Sequence, residues 1–215
     1  MIRSACVSLS IVILATSRLG NAQGGFSERA TGFGTRISLP VTWQLASDAE
    51  LTSNREAALA RMRSGSVQQL REMAASNENA PLFRAKDPAT PSNSANMNVT
   101  ISPQTTSAMF SEMTARDVGE LVGELCRSFR EQTQQTGGTG ECLRHELVTL
   151  EGRRAVVIHQ TFAIARAGLD NRRTVVLVPA PGLLFTLSIS MRRTGFDAAL
   201  PRAIMASLKF PADLK

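Results

Sequence analysis

The chain contains no tyrosine and a single tryptophan, and aromatic residues make up only 5% of its 215 residues. Proteins that track single-stranded nucleic acid stack successive bases on aromatic rings beside a basic groove. With so few rings, and a formal net charge of +6 scattered along the chain, nucleic acid is not an expected partner. Lysine is also scarce, present only as Lys86, Lys209 and Lys215, so the basic charge is almost all arginine. Histidine occurs twice, at His145 and His159. No Cys-x-x-Cys pair is present, and no histidine lies at ligand spacing from a cysteine. The common zinc frameworks are therefore not expected, and neither is any other metal. There is no G-x-S-x-G elbow, and GFGTR and GGTG lack the strand, helix and lysine that a phosphate loop needs. No cofactor is expected.

Long hydrophobic runs are missing too. The apolar run from Ala5 to Ala15 follows a basic start at Arg3 and precedes small residues, Gly20 and Ala22, where a leader peptidase would cut. It is shorter than the roughly 17 to 25 residues of a membrane span, and its layout is that of a secretory signal peptide over residues 1–22. A periplasmic or secreted protein is expected, with no transmembrane segment once the leader is cleaved. Removing the leader removes Cys6 and leaves Cys126 and Cys142 as an even pair in an oxidising compartment. A disulfide between them is expected. It would close a loop of about 15 residues and contribute about 3 kcal/mol.

What remains reads as a flexible lead-in over residues 23–35 and one domain over 36–212. In TRISLPV, Ile37, Leu39 and Val41 alternate with polar residues as in a half-buried strand, with Pro40 at its end. Residues 53–75 carry Leu59, Met62, Leu70 and Met73 at helical spacing. PLFRAKDP is a short strand candidate and MNVTIS a stronger one. Thr114 and Asp117 have capping-box spacing. Behind them Val118, Leu121, Val122, Leu125 and Phe129 mark one face of a helix running to about Gln135, and TGGTG turns the chain back. Four strands follow as an antiparallel meander, CLRHELVTL, RRAVVIHQTFAI, RTVVLV and LLFTLSISM, with turns at Glu151-Gly152 and at Pro-Ala-Pro-Gly. Asp197 can cap a last helix whose inner face is Leu200, Ile204 and Leu208.

This order of elements, a strand ending in LPVTW, a helix, NMNVTIS, a second helix, a four-strand meander and a closing helix with SLKF, resembles the PsbP-like family and its DcrB-like bacterial relatives. That family includes the Ran-binding Mog proteins. The resemblance implies an α+β fold, an α/β/α sandwich with a central, mainly antiparallel sheet flanked by helices. It also implies an accessory or binding role with no catalytic residues to carry over. Within that fold Pro40 and Trp43 are expected to be structural, an end of the first strand and an anchor of the core.

Chemistry has few other places to reside. A two-residue turn at Glu151-Gly152 pairs His145 with Ile158 and His159 with Arg144, so the imidazoles face opposite ways; only a bulge at Gly152 would bring them together on a shared metal. Three arginine doublets stand out. Strand direction brings Arg166, Arg172, Arg173, Arg192 and Arg193 to one end of the sheet, with Asp170 and Asp197 as local counter-charges. Clustered guanidinium groups suit carboxylate or phosphate recognition, so these five are the candidate site for an anionic partner. The expected function is that of a non-enzymatic accessory protein acting on an envelope protein partner. The alternatives are a carrier of a small amphipathic ligand in a groove between helix and sheet, and an envelope hydrolase, which would need a serine or carboxylate beside His145 or His159.

Overall fold

Local chemistry sets the ends of the long helix. Thr114 accepts from the Asp117 backbone N–H while the Asp117 carboxylate accepts from the Thr114 N–H, so both form the expected capping box. These bonds, the Thr114 hydroxyl first, hold the Asp117 carboxyl below its ordinary value. Helix α1 runs Ala115–Gln135 from there. It stops at Gly137, whose φ of 74° admits the left-handed turn. The Gly137 N–H donates to Gln134 O and the Gly138 N–H to Thr133 O, which is a Schellman closure. The computed structural model describes residues 25–32, 34–45, 81–90, 95–103, 112–180 and 183–211. The expected leader at 1–22 and the expected helix at 53–75 lie outside the described residues.

Nine strands are described: β1 Phe26–Gly32, β2 Thr35–Pro40, β3 Gln44–Leu45, β4 Pro81–Lys86, β5 Ala95–Pro103, β6 Thr139–Leu150, β7 Arg153–Ile164, β8 Leu169–Ala180 and β9 Leu183–Arg192. Helix α2, Ala199–Ala206, closes the chain. Seven strands form one antiparallel sheet in the order β3-β4-β5-β9-β8-β7-β6, and β1 with β2 forms a separate two-stranded sheet. With α1 on one face and α2 on the other, the architecture is an α+β sandwich around an antiparallel sheet. Among the described residues no helix is long and apolar enough to cross a membrane.

The meander keeps the expected register. Glu151 and Gly152 both have positive φ, 50° and 77°, as a two-residue hairpin turn requires, so Leu150 pairs with Arg153 and Arg144 with His159. A bulge does occur in this hairpin, but at Leu143, between Cys142 paired with Gln160 and Arg144 paired with His159. Two expectations are corrected at the start of the chain. Residues 26–32, read as part of a flexible lead-in, form β1 and pair with β2. Val41, read as inward, lies in a turn and is 48% exposed, because β2 ends at Pro40.

The two faces of the sheet differ in how they are filled. The α2 face carries the larger core: Val157, Val176, Phe185, Leu187 and Ile189 of the sheet meet Ile204, Leu208 and Phe210, with Ile37, Leu39 and Trp43 closing over them. Trp43 is 5% exposed and anchors this core as expected. Glu28 of β1 takes Lys209 and Arg36, which ties the hairpin to the chain after α2. On the α1 face the buried Val118, Val122 and Cys126 of the helix, with Leu121 partly buried beside them, meet Val156, Ile158, Val175 and Leu177. Cys126 and Cys142 are joined there in the expected disulfide, with Cα atoms 5.9 Å apart.

Candidate functional site

Strand alternation decides which arginines can act together. On β8, Arg172 pairs with Thr161 and Met191, and Arg173 with Gln160 and Ser190; successive side chains point to opposite faces. All five candidate arginines lie at the expected end of the sheet, yet they do not form one patch. Arg172 is exposed on the α2 face, its guanidinium 5.1 Å above the Phe196 ring. Arg173 lies on the α1 face, largely buried, with Nε donating to Ser188 Oγ at 2.7 Å and the guanidinium over Phe129. Burial holds its pKa below the ordinary arginine value. Arg193 is taken by Asp170 at 3.1 Å, an ion pair that pins the chain after β9 to the start of β8. Arg166 is exposed on the short turn Ala165–Ala167, and Arg192 sits on β9 opposite Asn171. The counter-charge expected of Asp197 goes elsewhere, since its carboxylate accepts from the Ala199 N–H at the start of α2.

What the fold does bring together is a cleft of 360 Å³ between β6, β7 and β8 and the segment leading into α2. Arg144, Arg172 and Arg202 stand around it, with His159, Thr174 and Phe196 in its wall. None of the three guanidinium groups is within bonding distance of a carboxylate among the described residues. Glu146, on the same face of β6 as Arg144, is committed to His159, Nε2 to Oε1 at 2.9 Å. That hydrogen bond, with the charges of His159, Arg144 and Arg202 behind it, outweighs desolvation and holds the Glu146 carboxyl below its ordinary value.

The carboxylate beside His159 is the condition set for a hydrolase, and the Thr174 hydroxyl lies 3.5 Å from His159 Nδ1. At Thr174 the geometry of a working nucleophile is not met among the described residues. Thr174 is 1% exposed in the middle of a strand whose backbone pairs on both sides with β7 and β9, so no free pair of N–H donors faces its oxygen. His145 is exposed, paired with Ile158 and directed away from His159. Among the described residues no group of three His, Cys, Asp or Glu side chains comes together as metal ligands. Sequence reasoning singled out Arg172 but missed Arg144 and Arg202. The register alone placed Arg144 opposite His159, while Arg202 required the packing of α2.

No family model and no curated protein matches the sequence. Solved structures do match. Cyanobacterial PsbP from Synechocystis sp. PCC 6803 aligns with a TM-score of 0.56 at 12% identity, over 92% of this chain and 99% of its own. A protein of unknown function from Pseudomonas aeruginosa, described as a putative regulator, aligns with a TM-score of 0.43 at 11% identity, over 88% of this chain and 100% of its own. Identities this low speak of fold alone, and the first of the two carries the comparison: the chain has a PsbP-like fold.

Proposed function

We propose that the protein is a non-enzymatic accessory protein of the periplasm or the secreted fraction, which binds an acidic group of a protein partner in the cleft formed by Arg144, Arg172 and Arg202. The observation that carries this reading is the set of three guanidinium groups around one cleft with no carboxylate partner among the described residues. Each offers a planar fork of donors suited to a carboxylate. Arg172 is already oriented by its contact with Phe196, so part of the ordering cost is met before a partner arrives. The Cys126–Cys142 disulfide and the leader-like first residues support an oxidising compartment.

The test is capture from a native envelope extract by the mature chain and by a variant carrying Arg144→Ala, Arg172→Ala and Arg202→Ala, beside a control with Arg166→Ala and Arg193→Ala. A defined protein retained by the natural chain and the control, lost by the triple variant and released by salt, is the expected result. Identical retention by all three, or by none, overturns the proposal.

A further inference from the structure

The other face of the sheet holds a further cation with no carboxylate partner among the described residues, and its surroundings are of a different kind. Arg173 is largely buried, yet among the described residues it faces no carboxylate; its recorded contacts are Ser188 Oγ and the face of Phe129. Gln160, its direct partner across β7 and β8, gives it no acceptor either, because the Gln160 amide donates to Cys142 Sγ and Oε1 has no hydrogen bond. Withdrawing a charge from water costs several kcal/mol unless an opposite charge meets it. A fold that needed only a space-filling side chain here would avoid that cost with leucine or methionine.

Beside this guanidinium runs a groove of 340 Å³ between α1 and the sheet. Its floor is Ile158, Val175, Leu177 and Leu184, and its wall on α1 is Leu121, Leu125 and Phe129. Leu125 belongs to the inward stripe of the helix by sequence, yet it is 36% exposed and lines this groove. From Arg173 to Leu177 the strand advances about 13 Å at about 3.3 Å per residue. The groove thus has one cationic end and an apolar length behind it.

We propose that this groove binds an aliphatic monocarboxylate of the fatty-acid type, with the carboxylate on Arg173 and the hydrocarbon chain along Val175, Leu177 and Leu184. The ligand's charge completes the partly buried cation, and its chain fills the space beside α1 over Val175, Leu177 and Leu184. The groove lies along α1, on the opposite face from the Arg144, Arg172 and Arg202 cleft, although Gln160 and Arg173 border both cavities.

Isothermal titration of the mature chain with dodecanoate, kept below its micelle concentration, tests the assignment. One saturable site is expected, with 1-dodecanol binding at least about tenfold more weakly, a difference of about 1.4 kcal/mol. Arg173→Met, which keeps the length and apolar volume of the side chain, is expected to bring dodecanoate down to the level of the alcohol. Leu125→Trp at the mouth of the groove is expected to weaken both ligands, and Arg172→Ala neither. No binding of dodecanoate, equal affinity for acid and alcohol, or loss of binding in Arg172→Ala would each overturn the proposal. Should Arg173→Met fail to fold, the acid-against-alcohol comparison on the natural chain decides.

Discussion

The two faces of the sheet are built on different terms. On the α2 face a large core is packed tightly beside the arginine cleft: Phe185, Leu187, Ile189 and Ile204 are each no more than 2% exposed, and the β1–β2 hairpin and Trp43 cover it. On the α1 face a 21-residue helix buries only Val118, Val122, Cys126 and Thr133, and a disulfide fastens it to β6. A face held by packing needs its core filled, even where a cleft opens at one side of it. A face held by a covalent bond can leave a groove beside the helix and still keep the helix in place.

That contrast can be broken at several points. The largest effect is expected from Phe185→Ala, which opens a cavity in the core where Phe185 meets Phe210 with ring centroids 4.9 Å apart. A loss of about 3 to 5 kcal/mol, or roughly 10 °C in Tm, should appear in thermal or denaturant unfolding. A loss under about 1 kcal/mol would show that the α2 face is not held by packing. Next comes the double variant Cys126→Ser and Cys142→Ser. With α1 weakly packed, it should lose about 3 kcal/mol, with amide exchange rising first in α1. If α1 stays as protected as before, packing rather than the disulfide holds that face.

The smallest effect concerns the ion pair in the α2-face cleft. Because Glu146 has a folded-state pKa below the ordinary 4.5, its contribution is complete above that value and is lost as pH falls through the folded value. Acid from pH 5.5 to pH 3 should therefore cost the natural chain more than Glu146→Gln, by less than about 1 kcal/mol for a pair this exposed. Equal acid sensitivity of the two proteins would show that the pair contributes nothing to the fold.

Local chemistry made much of this molecule readable from its sequence. Thr114 and Asp117 marked the helix start, Glu151-Gly152 set the hairpin register, and the two cysteines outside the expected leader implied their own bond. The candidate site was less legible. Strand direction correctly gathered the arginines at one end of the sheet, but direction says nothing about faces, and adjacent residues such as Arg172 and Arg173 must diverge on a pleated strand. Arg202 could not be assigned to the cleft without knowing how α2 packs. Strand β1 escaped notice because its sequence, FSERATG, has glycine and polar residues and no apolar alternation; its partner β2 supplies the buried side chains Thr35, Ile37 and Leu39.

The bulge at Leu143 reaches further than its size implies. On an unbroken strand, positions 142 and 144 share a face, so one residue of extra length between Cys142 and Arg144 reverses the parity of everything beyond it. This odd residue lets a single strand serve two masters, offering a sulfur to α1 and a guanidinium to the opposite cleft. Deleting Leu143 would force β6 to choose: a chain that kept its cross-link would turn Arg144 away from Arg172 and Arg202, and one that kept the cleft would carry two free thiols.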